Sequence, residues 1–137
     1  MPKLNEVLET SLYVESLERS ITFYKTIFEL DTLASDQRFC ALSVSNRQVL
    51  LLFQKGASTT PAVLPGGTIP PHDGTGHLHL AFTVSAADLP DWQRWLHDKG
   101  IPIESTVKWP RGGTSVYFRD PDGHLLELAT PGLWAIY

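Results

Sequence analysis

A chain of 137 residues with 42% apolar and 19% charged side chains is one compact domain's worth of sequence, with the composition of a folded globular protein rather than a disordered one. Its net charge of −4 excludes the basic face that nucleic acid or an anionic membrane surface demands. The lone Cys40 excludes an internal disulfide and a Cys-rich zinc module, no apolar run approaches the ~20 residues of a membrane span, and Met1–Asn5 reads as neither signal nor transit peptide, so a cytoplasmic protein is expected.

In chain order, the segment from Glu9 to Val14 alternates, with Leu8, Leu12 and Val14 on one face and Glu9, Ser11 and Tyr13 on the other. Ser16 follows as a helix cap, and Leu17, Ile21, Tyr24 and Phe28, at intervals of three and four, form one apolar stripe. Three β-type runs come next, at Thr32–Ser35, Phe39–Val44 and Gln48–Gln54. The stretch 55–76 is rich in Pro, Gly and Thr, shows no periodicity, and reads as a linker or lid.

The same unit then begins again. His79-Leu-Ala-Phe-Thr-Val84 lines up with Glu9-Thr-Ser-Leu-Tyr-Val14, half a chain length earlier. Ser85 and Asp88 resemble a capping box, Leu89, Trp92 and Leu96 form the second helical stripe, and Gly100 ends it. The closing strands are expected at Ile103–Val107, Thr114–Arg119 and Leu125–Thr130, the last two joined by the turn Asp120-Pro-Asp-Gly123. The chain is therefore two β-α-β-β-β modules, about 5–54 and about 77–130, with a linker 55–76 and a tail 131–137. The expectation is one α+β domain spanning 1–137.

Alternation puts His77, His79, Ala81 and Thr83 opposite the apolar Leu78, Leu80, Phe82 and Val84, and sets Glu127 opposite Leu126 and Leu128. Glu9, His79 and Glu127 thus fall on faces that the repeat would bring together. Singly, Glu9 reads as a solvated strand residue and His79 as a core histidine. A carboxylate between two leucines, however, is costly unless something pairs it. His124 in the turn and His97 on the helix read as solvent-exposed, and Cys40 as a small core residue.

Val14 followed by Ser16-Leu-Glu-Arg-Ser-Ile-Thr-Phe-Tyr24, the His79–Val84 strand, and above all Val116-Tyr-Phe-Arg-Asp-Pro-Asp-Gly-His-Leu-Leu-Glu127 resemble modules of the vicinal oxygen chelate superfamily, which includes glyoxalases, bleomycin resistance proteins and extradiol dioxygenases. The resemblance implies a curved, eight-stranded, cup-shaped mixed sheet and one divalent metal ion (Mn, Fe, Zn, Ni or Mg). The ion would be held at the positions of Glu9, His79 and Glu127, in a protein that pairs as a homodimer. The chain departs from the fuller pattern at two places. Glu9 stands where His or Gln is usual, and Gln48–Gln54 offers no carboxylate as a fourth ligand. Two carboxylates and one imidazole make the ion a weaker Lewis acid and favour Mn²⁺, Fe²⁺ or Mg²⁺.

Further residues follow from the same resemblance and from the loops. Tyr117 matches a Tyr that lines the cup in related enzymes and reads as a donor to a developing oxyanion; Glu9 reads as ligand or general base. Arg111, in the basic loop Lys108–Gly113, His72, ahead of the His79 strand, and Trp134, in the apolar tail, are the substrate-binding candidates. The function expected is a metal-dependent, glyoxalase-like lyase or isomerase acting on a small oxygen-chelating substrate. The alternatives are a fosfomycin-type thiol transferase and a metal-free, bleomycin-resistance-like drug-binding protein.

Overall fold

The computed structural model describes residues 1–137, in two compact units, Met1–Thr75 and Gly76–Tyr137. The 55–76 stretch therefore travels almost wholly with the first.

In the first unit, β1 (Glu9–Val14) leads into α1 (Leu17–Phe28), then β2 (Thr32–Ser35), β3 (Phe39–Val44) and β4 (Gln48–Gln54), all as the patterning predicts. The strands lie in the order β1-β4-β3-β2, with β1 parallel to β4 and the other neighbours antiparallel. Ser16 caps α1 by accepting from Arg19 N at 3.3 Å, and Glu29 closes it in the left-handed region. Gln54 clamps the β1–α1 corner, accepting from Leu17 N at 3.0 Å and donating to Glu15 O at 2.7 Å. The apolar face of the sheet (Leu12, Val14, Leu42, Leu50, Leu52) packs with Leu17, Tyr24 and Ile27 of α1, and Cys40 is buried there as expected. Leu8 precedes the strand and is exposed rather than part of that face.

The linker departs from expectation. Ala62–Leu64 (β5) and Gly67–Ile69 (β6) pair as an antiparallel hairpin around Pro65-Gly66. Strands of three residues are too short for alternation to register against so much Pro and Gly. Beyond the hairpin the chain presses on β1 at Gly74, where a Cβ would sit 2.3 Å from the Tyr13 ring.

The second unit repeats the plan: β7 (His79–Thr83), α2 (Leu89–Asp98), β8 (Ser105–Lys108), β9 (Thr114–Arg119) and β10 (Leu125–Ala129), in the order β7-β10-β9-β8. The fold is thus α+β, two β-α-β-β-β modules each with its own four-stranded mixed sheet. Leu89 and Leu96 of α2 are buried, as are Val116, Phe118, Leu126 and Leu128 of the sheet. The capping box at Ser85 is not formed as predicted. Ser85 Oγ accepts from Asp88 N at 3.1 Å, closing a turn, and the helix starts only at Leu89. Pro90 is the reason: it has no N–H to donate and is tolerated only in a first turn, so a helix capped at Ser85 would carry it too far inside. β8 begins two residues later than predicted and β10 ends one earlier.

His124 reverses its prediction. It is 1% exposed, and its Nδ1 accepts from Leu78 N at 2.9 Å. Asp120 Oδ1 accepts from the backbone N–H of Asp122 and His124, both at 2.9 Å, and Gly123 is left-handed. That turn swings His124 inward beneath the chain entering β7. His97 is exposed, as expected.

Candidate functional site

The concave face of the second unit collects the chemistry. β10 turns Leu126 and Leu128 toward the core and Glu127 the other way, beside Ala81 of β7 and opposite Tyr117 of β9. Glu127 is 5% exposed, a burial a carboxylate tolerates only with partners. Its Oε1 accepts from Ser115 Oγ and, at 3.2 Å, from Tyr117 Oη, while Trp109 Nε1 donates to Ser115 Oγ at 2.8 Å. The relay Trp109–Ser115–Glu127 therefore saturates one carboxylate oxygen and fixes the plane of the group.

The other oxygen, Oε2, lies 3.2 Å from His79 Nε2. Across the ring, His79 Nδ1 is 2.9 Å from the carbonyl oxygen of Leu125. A carbonyl can only accept, so Nδ1 carries a proton, and in the neutral ring Nε2 presents a lone pair. Nε2 and Oε2 are then two acceptors aimed at one place, an arrangement that calls for a positive charge between them, a proton or a metal ion. A backbone carbonyl orienting a histidine is a recurrent metal-ligand support, and the other nitrogen here sits beside a carboxylate oxygen, so these residues fit a divalent ion. Neither unit by itself gathers three His, Cys, Asp or Glu side chains into one group.

Tyr117 has its hydroxyl pushed above the ordinary phenol range, first by burial, with the Glu127 charge acting in the same direction and the Ser115 hydrogen bond opposing it. It therefore stays a donor at neutral pH. A cavity of about 480 Å³ opens over this group, lined by His79, Tyr117, Glu127, Trp109, Trp134 and Tyr137 among others. Arg111 is exposed on the Trp109 loop and does not line the cavity. His77 is exposed, its ring stacked over Gly123.

The first unit has a concave cavity of its own, about 520 Å³, lined by Glu9, Tyr13, Arg38, Phe53, Ser58 and His72 among others. His72 Nδ1 is 2.7 Å from Tyr13 Oη, and its ring meets Phe53 edge-on. Burial and the nearby Asp73 push the Tyr13 hydroxyl up. Glu9 is exposed at the start of β1. The registers show why this module offers one candidate ligand where the second offers two: Leu51 pairs with Ser11 as Glu127 pairs with Ala81. Gln54, the polar end of β4, is committed to the β1–α1 corner.

Ser115 and Trp109 escaped the sequence reading. Ser115 was within reach, since alternation puts it on the Tyr117 face. Trp109 was not, because only the β8–β9 loop geometry directs its indole to Ser115.

A sequence model described as the Glyoxalase/Bleomycin resistance protein/Dioxygenase superfamily matches residues 3–128. The chain is 30% identical over 118 residues to a metallothiol transferase FosB of Bacillus licheniformis, covering 85% of this chain and 70% of that one. It is 31% identical over 121 residues to a FosB of Staphylococcus haemolyticus, covering 88% and 79%. A glutathione transferase FosA of Serratia marcescens matches at 29% over 132 residues, covering 96% and 85%. Among solved structures, a lactoylglutathione lyase from Agrobacterium tumefaciens superposes with a TM-score of 0.88 at 29% identity, covering 98% of this chain and 99% of that one.

Proposed function

The chain belongs to the glyoxalase, bleomycin resistance protein and dioxygenase superfamily, and from that premise we propose that it is a metal-dependent thiol transferase acting on a small electrophile with two neighbouring oxygens. The observation that carries the metal is the pair of acceptors, His79 Nε2 and Glu127 Oε2, 3.2 Å apart on a fixed carboxylate. Glu9, at the equivalent place of a first module, is the third ligand in this proposal or, if it stands off the ion, the general base. An oxygen-rich set of this kind suits Mn²⁺, Fe²⁺ or Mg²⁺, with Zn²⁺ and Ni²⁺ also accommodated.

The ion's contribution would be to polarise a substrate oxygen and stabilise the negative charge that develops there. The protein supplies the rest. The Leu125 carbonyl holds the His79 tautomer and Ser115 and Tyr117 hold Glu127, so Tyr117, kept as a phenol, would serve a substrate oxygen only by giving up its hydrogen bond to Oε1. Trp134, which lines the cavity over His79 and Glu127, would contact substrate there, while His72 lines the separate cavity of the first unit and Arg111 lines neither.

The names of the sequence relatives support thiol transfer better than the lyase or isomerase reading that the sequence favoured. The lactoylglutathione lyase neighbour keeps a lyase as the second reading. Both use a thiol-bearing partner, and retention of His79 and Glu127 argues against the metal-free drug-binding alternative. The test is thiol consumption with Mn²⁺, using glutathione or cysteine against a panel of epoxides. Loss of free thiol that stops on adding EDTA is the expected result. No thiol loss, together with isomerisation of the methylglyoxal–glutathione adduct, would establish the second reading instead.

We place the protein in the cytoplasm as a homodimer. The support for pairing is the free edges of both sheets, β1 and β2 in one and β7 and β8 in the other, a liability that proteins normally cover. Light scattering at micromolar concentration should report about 30 kDa rather than the 15.2 kDa of one chain.

A further inference from the structure

The tail after β10 lies beyond residues 3–128, which the superfamily model matches, and it is built into the second unit. Tyr137 Oη donates to Ala129 O at 2.8 Å and to Val84 O at 3.4 Å. The backbone N–H groups of Gly132, Leu133 and Trp134 donate to the backbone oxygen of Tyr137 at 3.0, 3.0 and 3.1 Å, curling the tail on itself. Gly132, left-handed at φ +110°, packs so closely on Gly113 that a Cβ would sit 2.4 Å from Gly113 N. The tail is held at its base, along its backbone and at its end.

What it holds in place is an apolar surface. Leu133, Trp134 and Tyr137 line the cavity of about 480 Å³ together with Trp109, facing the end where His79 and Glu127 stand. Trp134 remains 70% exposed, an aromatic face kept in water on an anchored segment. The ionisable side chains lining this cavity are His79, Glu127 and the phenols of Tyr117 and Tyr137, and no lysine or arginine is among them. An anionic tail on the substrate would have no cationic side chain to meet at the far end, whereas a ring would find indole and phenol surfaces to stack on.

We infer that this cavity takes a substrate whose two neighbouring oxygens are carried on a neutral aromatic body, and that Trp134 sets the preference. The inference names the substrate class for the site proposed above and rests on that placement of the site, but its test does not require turnover. Binding of 1-phenyl-1,2-ethanediol and of 1,2-propanediol to the full chain is measured by calorimetry, with Mg²⁺ and again with EDTA. The two probes share the vicinal oxygens and differ by phenyl against methyl. Burying the ring should favour the phenyl compound by roughly tenfold or more. Trp134→Ala, at an exposed position where folding is not at stake, should lower that ratio at least threefold by weakening the phenyl compound more than propanediol. A wild-type ratio below tenfold in both buffers, including no measurable binding of the phenyl compound, overturns the inference; so does a ratio that Trp134→Ala leaves intact. If the ratio behaves as expected while no thiol is consumed, the cavity's preference stands and the thiol-transfer proposal falls. The reverse pair of results separates them the other way.

Discussion

Replacing His79 by alanine is expected to lower affinity for divalent metal by at least about 100-fold, so that protein purified without chelator no longer carries stoichiometric ion. The size follows from the chemistry of the pair: losing a group that merely orients a ligand already costs 10- to 100-fold, and this change removes the ligand nitrogen itself. Glu127 keeps Ser115 and Tyr117 on Oε1 but loses the nitrogen 3.2 Å from Oε2. Because the His79 side chain is 50% exposed and the β7–β10 ladder runs through backbone atoms, the fold should be untouched. Elemental analysis and a thermal melt, run on the same preparation, read the two effects separately. Metal retained at wild-type affinity would put the site elsewhere; metal lost together with the fold would make His79 a structural residue.

The largest purely structural effect is expected at His124. His124→Ala empties a fully buried position and leaves Leu78 N–H without its acceptor just where the chain enters β7. The cavity and the orphaned donor together should cost about 3 kcal/mol, lowering the melting temperature by roughly 10 °C for a chain of this size. His124→Asn offers an oxygen near the place of Nδ1 and should recover part of the loss. Equal melting temperatures for the alanine variant and the wild type would show that the turn, not the histidine, holds β7 against β10. Measured metal affinity should fall along with stability, since the same strand carries His79.

Much of the architecture was open to a reading of the residues. β2, β3, β4 and β9 match their predicted limits because alternation and turn residues are local signals, and the Asp120–Gly123 turn carries its own chemistry in its side chains. The failures have physical causes. Ser85 looks like a cap until the position of Pro90 is weighed. The β5–β6 hairpin is too short to show a period. His124 is polar and follows a turn, which ordinarily means solvent; its burial depends on Leu78 arriving from far along the chain.

The same division runs through the site. The sequence by itself determined that the chain is two copies of one unit, that Glu9 and His79 begin equivalent strands, and that Glu127 faces away from the core. Each of these is a matter of repetition or period two, which neighbouring residues carry without reference to the rest of the molecule. Only the tertiary structure decided which Glu127 oxygen is saturated, which His79 nitrogen bears the proton, and that Trp109 and Trp134 wall the same cavity. Those properties depend on the parallel pairing of β7 with β10, on the docking of a loop and on the anchoring of the tail. Such pairings join residues distant in the chain, and no local propensity specifies their register.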